Sequence, residues 1–298
     1  MYLQTHTAHM ARWHSHGSTQ NLQLKNIKSR GFSLQIGFLD IMENLTDNTA
    51  IAQALTCQFV TGSSHGIERD PIELYQPINT LKPVDENIWI VDGSVVRMAM
   101  YGTTIPFSTR MTVVRLNNDE LWCHSPVELT EALKKEIDTL GLVRHLISPN
   151  KIHYAHISTW AKAYPEATAW ASPGVRERAA QQKIQVVFNA DLTDEPPPQW
   201  ANEIDQLIFR GSRFMDEVVF FHRNSATLIL ADLIEKFEPN KVSQNFRWLL
   251  KLAGSGDPDG KAPLDLRLTF WGRKDQARQC VEQMLQWQPR RIILSHGR

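Results

Sequence analysis

The chain has 298 residues, 42% of them hydrophobic and 21% charged, which is enough apolar content to bury a core and too much for a disordered chain. Its 32 basic residues balance its 32 acidic ones, which argues against a nucleic-acid-binding protein that depends on a global positive charge. No run approaches the roughly 18 apolar residues of a membrane helix, and the three scattered cysteines exclude a disulfide framework. We therefore expect a soluble protein of a reducing compartment, the cytoplasm.

The N-terminal region differs in charge from the rest of the chain. Residues 1–39 contain no acidic side chain, but they contain two lysines, two arginines and four histidines. A mobile tail, or upstream sequence read from a wrong start before Met42, explains this composition; a plastid transit peptide is the alternative. We predict an N-terminal extension over residues 1–70 and one folded domain over residues 71–298. Because the chain stops close to its last predicted strand, a domain truncated at its C-terminus is a further alternative.

Hydrophobic patterns after Pro71 predict short strands and a few helices. Ser125-Pro126-Val127-Glu128 is typical of a helix start, because serine caps free amides and proline suits the first turn, and Gly141 ends that helix. Residues 97–108 and 174–202 are predicted to be irregular loops that line a pocket. The predicted strands are 88–91, 111–116, 121–124, 143–147, 167–171, 204–209, 218–221, 227–230 and 291–294. Further helices are predicted at 157–164, 244–253 and around 277–285.

The order of these elements predicts the fold class. Antiparallel hairpins are mixed with strand–helix units, which favours sheets covered by helices over a doubly wound parallel sheet. We therefore predict an α+β fold of one domain.

Three places put titratable side chains directly after predicted strands, where a rigid scaffold can orient them. His153 and His156 follow the strand 143–147, Asp232 follows the strand 227–230, and His296 follows the last strand. In a helical segment, His153 and His156 would share a face and could hold one cation. Imidazole and carboxylate are the usual ligands of zinc and iron, so the three places together predict a metal site if they converge.

Each of these residues also has a purely structural explanation. A histidine after a strand is commonly a hydrogen-bonded loop residue, Asp232 could cap a following helix, and His296 could be solvated near the chain terminus. Only convergence of the three segments in space would favour the metal site over these explanations.

The order of elements resembles that of the metallo-β-lactamase superfamily. In that superfamily a hairpin, a helix and a strand lead into a His-x-His-x-Asp-His loop, an aspartate ends a later strand, and a histidine follows the final strand. More narrowly, the chain is similar to an uncharacterised branch, a domain-of-unknown-function family of bacteria and plastids. Its distinctive strings are Ile88-Trp-Ile-Val-Asp-Gly93, Thr109-Arg-Met-Thr-Val-Val114, Ser125-Pro-Val-Glu128, Trp160 and Tyr164-Pro-Glu-Ala167.

The resemblance implies an αββα sandwich of two mixed β-sheets flanked by helices, with a degenerate metal site. Asn150 stands where the first ligand histidine would be, and no histidine lies between Ile208 and Asp216, where the third motif would fall. At most four ligands remain, so the resemblance implies one zinc or iron ion, or none, rather than two. The candidate ligands are His153 or His156, Asp232 and His296, with His153 preferred for its spacing to Trp160.

Three functional hypotheses follow from the resemblance. In the first, the chain is a mononuclear metal-dependent hydrolase of an ester, thioester or phosphate-type bond in a small molecule, with Asp232 in the catalytic site. In the second, the site has lost its metal and binds a ligand or a protein partner. In the third, the fold is a structural or interaction module, since a fold alone implies no activity.

Overall fold

The computed structural model describes residues 72–100, 103–236, 238, 241, 262 and 264–297, all within the second of two compact units, Gly37–Arg298. The predicted extension over residues 1–70 and the predicted helix at 244–253 lie outside the described residues. The described strands are β1 Lys82–Asp85, β2 Ile88–Asp92, β3 Val96–Met100, β4 Thr103–Phe107, β5 Arg110–Arg115, β6 Glu120–His124, β7 Leu142–Ser148, β8 Thr168–Ala171, β9 Ala190–Asp191, β10 Ile204–Phe209, β11 Glu217–His222, β12 Thr227–Ile229 and β13 Arg291–Ile293. The described helices are α1 Glu131–Leu140, α2 Ile157–Ala163, α3 Val175–Gln181, α4 Leu264–Thr269 and α5 Lys274–Gln286.

Two mixed β-sheets form the centre of the described structure. The larger has seven strands in the order β1-β2-β5-β6-β7-β8-β9, antiparallel up to β6 and parallel from β6 to β9. The smaller has the order β10-β11-β12-β13, antiparallel except for the parallel pair β12 and β13. Strands β3 and β4 form a separate hairpin.

Side chains alternate between the two faces of each strand and so divide the core into three layers. On β11, Val218 and Phe220 pack between the two sheets, whereas Val219 and Phe221 pack against α4 and α5. The outer face of the larger sheet is covered in the same way by α1, α2 and α3. The predicted αββα sandwich of the α+β class is therefore confirmed.

The predicted helix start at Ser125 is wrong. The helix begins at Glu131, and Thr130 is its N-cap, with its side chain accepting a hydrogen bond from the Leu133 amide at 3.2 Å. Ser125 instead has a left-handed backbone with φ of 53°. The carbonyl of Val127 accepts a hydrogen bond from the Trp160 indole at 2.7 Å. These tertiary contacts outweigh the local capping pattern.

The two predicted loops contain regular structure. Within 97–108 the chain forms most of the β3–β4 hairpin, in which Val96 pairs with Phe107. Within 174–202 it forms α3, which buries only Val175 and Ala179, and the two-residue strand β9. An apolar stripe of two residues in a polar segment is too short to give a helical period in the sequence.

Candidate metal centre

Two of the predicted ligands meet because they follow neighbouring parallel strands. Ile229 of β12 is in register with Ile293 of β13, and the Leu230 amide donates to the Ile293 carbonyl at 3.0 Å. Asp232 and His296 each lie three residues beyond this pair. Equal offsets from paired residues bring the two side chains to the same sheet edge, and Asp232 does not cap a helix.

His153 reaches the same point from the larger sheet. It lies in the turn that follows β7, and its Nδ1 is 2.5 Å from the hydroxyl of Ser125, the residue that follows β6. Its Nε2 is 3.1 Å from Asp232 Oδ2, and the Nε2 of His296 is 3.0 Å from Asp232 Oδ1. One ligand atom from each of the three residues lies within 4.8 Å of the others, and each side chain is at most 9% exposed.

His296 is held firmly although it lies near the end of the sequence. Its Nδ1 is 2.7 Å from the carbonyl oxygen of Ser108, and its own carbonyl accepts from the Lys236 amide at 3.3 Å. Gly297 has a φ of +90°, and a Cβ there would lie 1.9 Å from the Lys236 carbonyl oxygen. A glycine is therefore required beside His296, and the last described segment lies directly against Lys236.

A buried amide and a second buried carboxylate support Asp232. Asn150 Nδ2 donates to Asp232 Oδ2 at 2.7 Å and to Glu217 Oε2 at 3.1 Å, while Asn150 Oδ1 accepts from the Ile152 amide at 3.0 Å. Glu217 also accepts from the amides of Ala231 and Asp232, each at 2.8 Å. Because both polar atoms of Asn150 are engaged, Asn150 acts here as a support for the carboxylates rather than as a free ligand.

Charge in the cluster shifts the pKa values of its members. Burial alone would raise the pKa of Asp232, but His153 and His296 outweigh burial and hold it well below its usual range. Burial opposes a charge on His153, yet Asp232 outweighs it and raises the pKa of His153. Burial, reinforced by the charge of Asp232, raises the pKa of Glu217 to about 7. Of the two carboxylates, Asp232 is thus the one that its neighbours favour in the ionised form.

Comparison with known proteins places the chain in a family. The profile of the family described as "Domain of unknown function (DUF4336)" matches residues 85–247, more than half of the sequence. The chain belongs to the DUF4336 family. No curated protein matches the sequence at the significance threshold.

Solved structures show which fold this DUF4336 protein has. A structure of DIM-1 metallo-beta-lactamase exposed to ceftazidime is 17% identical over 78% of this chain and 92% of that chain, with a TM-score of 0.51. A metallo-beta-lactamase from Hirschia baltica is 14% identical over 76% of this chain and 91% of that chain, with a TM-score of 0.50. The DUF4336 protein therefore has the metallo-β-lactamase fold, as the sequence predicted.

The fourth predicted ligand, His156, lies outside the cluster of ligand atoms. Helix α2 begins only at Ile157, so His153 and His156 lie in turns and do not form one helical face. His156 Nε2 is buried without a hydrogen-bond partner among the described residues, and burial lowers the pKa of this imidazole. His156 is therefore a neutral side chain in the wall of the same cleft.

The sequence did not reveal the residues that support the cluster. Glu217 is the one that could have been predicted. An acidic residue at the start of the apolar run Val218–Phe221 indicates a buried carboxylate that needs hydrogen-bond partners. Ser108 and Ser125 give no comparable signal, since each contacts a histidine far away in the sequence.

A small cleft opens onto the cluster, with a volume of about 50 Å³. Its described lining residues are Val96, Phe107, Thr109, Ser125, Pro126, Ile152, His153, Ala155, His156, Asp232 and His296. Of the helices that the structure describes, none has the length and apolar character needed to cross a membrane.

Proposed function

We propose that the protein is a mononuclear metal-dependent hydrolase in which His153, Asp232 and His296 hold one zinc or iron ion. The observation that carries the proposal is the contact of His296 Nδ1 with the carbonyl oxygen of Ser108, which decides the ring nitrogen that faces Asp232. Since a carbonyl oxygen cannot donate, the Nδ1 of His296 must carry the hydrogen that Ser108 accepts at 2.7 Å. In the neutral ring, Nε2 then presents a lone pair to Asp232 Oδ1 at 3.0 Å. Only a cation between the two atoms, a proton or a metal ion, makes this contact favourable.

The surroundings of both histidines fit a metal site. Metal-binding imidazoles usually bond through their second ring nitrogen to a carbonyl, a carboxylate or another polar group that fixes their orientation. Ser108 provides this contact for His296 and Ser125 provides it for His153. Two imidazoles and one carboxylate match the donor set of catalytic zinc sites, which keep one position open for water or substrate.

The same contacts support one ion rather than two. A second ion would require further ligands, and the polar atoms of Asn150 and Glu217 beside Asp232 are engaged with each other and with backbone amides. A bound ion of this kind supplies Lewis acidity and lowers the pKa of water to about 7. Asp232 and the two histidines would hold it at the base of the cleft, and neutral His156 in the wall can exchange a proton with a substrate.

A second candidate function is a metal-free ligand-binding module or protein-interaction module. The contacts of 3.1 Å and 3.0 Å between Asp232 and the two histidines are also those of ion pairs with protonated imidazoles. In that state the cluster would be a closed polar network, and the cleft would bind a ligand without hydrolysing it.

Metal analysis of protein purified without an affinity tag separates the two candidates. We expect about one zinc or iron ion per chain, and loss of that ion in Asp232→Ala, because three protein ligands are the minimum of a catalytic site. Asp191→Ala is the matched control, since Asp191 is an exposed acid that pairs with Arg176. A metal-free wild-type protein would contradict the hydrolase and favour the binding module. An Asp232→Ala variant that keeps its metal would show that Asp232 is not a ligand and would contradict the proposed metal centre.

A further inference from the structure

We propose that the cleft beside the cluster is an acyl-binding site, so that the substrate is an uncharged carboxylic ester or thioester with a short apolar acyl chain rather than a phosphate ester. This inference rests on the proposed hydrolase and specifies its substrate class. Its basis is the composition of the wall of the cleft that these ligands share.

Apolar side chains form the wall on both sides of the cluster. Val96 and Phe107 are paired across the base of the β3–β4 hairpin, and both line the cleft. The Phe107 ring lies 5.8 Å from the ring of His296, centre to centre. Ile152 directly precedes His153 in the chain and also lines the cleft. A carbonyl group placed at the cluster would therefore have its hydrocarbon chain between these three side chains.

Two of the polar lining residues, Ser125 and Thr109, are already hydrogen-bonded within the protein. Ser125 contacts His153, and Thr109 donates to the carbonyl of Ser94 at 2.8 Å. Pro126 and Ala155 complete the apolar part of the described lining. Such a cleft gains affinity by removing hydrocarbon surface from water, at about fourfold per buried methylene.

The described lining offers no basic side chain to a phosphate-type substrate. No lysine or arginine is found among the lining residues that the structure describes. The nearby cations are engaged elsewhere: Arg110 bonds to Asp92 and to the Leu294 carbonyl, and Lys151 donates to the Phe214 carbonyl. A phosphate diester would bring a charge into an apolar cleft without the guanidinium or ammonium partners that usually bind it.

The reaction that this site would support is hydrolysis of an acyl bond. The oxygen of water adds to the carbonyl carbon, and the bond from that carbon to the ester oxygen or thioester sulfur breaks. The leaving group takes one proton from the water, which gives a carboxylic acid and an alcohol or a thiol. No oxidant or further reactant is needed.

Ligand binding can be tested independently of activity by methyl NMR of the full-length protein, metal-free and zinc-loaded. Hexanamide serves as an uncharged, non-hydrolysable acyl probe, and methyl phosphate serves as the charged probe. We expect hexanamide to shift the methyl signals of Val96 and Ile152 in both forms, and methyl phosphate to leave them unchanged in the metal-free form. Absence of any shift with hexanamide, or a shift with methyl phosphate alone in the metal-free form, would overturn the acyl site.

Chain-length dependence then tests the substrate class in the zinc-loaded protein. We expect kcat/KM to rise about sixteenfold from p-nitrophenyl acetate to the butyrate, which has two more methylenes. We also expect the butyrate value to exceed the value for bis(p-nitrophenyl) phosphate. Val96→Phe should lower the butyrate value about tenfold more than the acetate value, because the larger side chain would fill space that the longer acyl chain needs. The exposed Val187→Phe is the control.

The two proposals fail in different ways in these experiments. If hexanamide shifts Val96 and Ile152 but the zinc-loaded protein hydrolyses none of the compounds, the acyl site stands and the hydrolase is wrong. If hydrolysis is equally fast for every chain length and unaffected by Val96→Phe, the hydrolase stands and the acyl site is wrong.

Discussion

The three proposed ligands differ in how the protein prepares each of them for a cation. His296 has its tautomer fixed by the Ser108 carbonyl, so its Nε2 is available. Asp232 is kept ionised by the two histidines, which hold its pKa well below the usual range. His153 is the exception, because the same carboxylate raises the pKa of His153 and favours a proton on it. A metal ion must therefore compete with a proton at His153.

This competition predicts a pH dependence of metal affinity. Because the folded-state pKa of His153 is raised, the ring is protonated below that pKa, and the zinc affinity should rise about tenfold per pH unit in that range. Zinc binding at pH 6 should release about one proton per ion. Calorimetric titrations in buffers of different ionisation enthalpy measure the released protons. Zinc binding with no proton release at pH 6 would show that His153 is already neutral.

At the scale of elements, the site is built from the ends of strands. The sequence reveals these positions where an apolar run stops at a polar residue, so Asp232 and His296 could be predicted from it. It does not reveal the contacts that orient His153, because the left-handed backbone of Ser125, with φ of 53°, depends on packing against distant segments. The predicted helix start at Ser125 differs from the observed start at Glu131 for the same reason, since a capping pattern describes only local hydrogen bonds.

Replacing each of two hydroxyl-bearing residues near this helix should therefore affect a different property, stability in one case and metal affinity in the other. Thr130→Ala should lower the free energy of unfolding by about 1 kcal/mol through loss of the helix cap, with metal affinity unchanged. Ser125→Ala should lower metal affinity by about tenfold or more, because it removes the contact to His153 Nδ1. Urea unfolding and zinc titration of both variants test the pair. If Ser125→Ala binds metal as the wild type does but loses about 1 kcal/mol of unfolding free energy, Ser125 acts as a helix cap and does not orient His153.

At the scale of the whole described structure, the site lies where the two sheets are joined. Asn150 bridges to Glu217, and the Val218 amide donates to the Pro149 carbonyl at 2.7 Å, which connects the segment after β7 to β11. His153 comes from the larger sheet, whereas Asp232 and His296 come from the smaller one. An ion held by all three side chains would connect the two halves of the sandwich.

Zinc should therefore stabilise the protein as a whole. At a free zinc concentration of about 100 times Kd, the free energy of unfolding should rise by about 2.7 kcal/mol, if the unfolded chain does not bind zinc. Asp232→Ala should remove this increase, and the control Asp191→Ala should retain it. Chemical unfolding with and without zinc measures the difference. An equal increase in Asp232→Ala would place the bound zinc elsewhere.

The most direct test of the proposed centre is the position of the metal in crystals of untagged protein, measured by anomalous diffraction at the zinc and iron edges. We predict one peak about 2.0–2.2 Å from His153 Nε2, His296 Nε2 and one Asp232 oxygen, the distances of protein ligands to zinc. An empty position, with both imidazoles hydrogen-bonded directly to Asp232 in metal-replete crystals, would contradict the proposed metal centre.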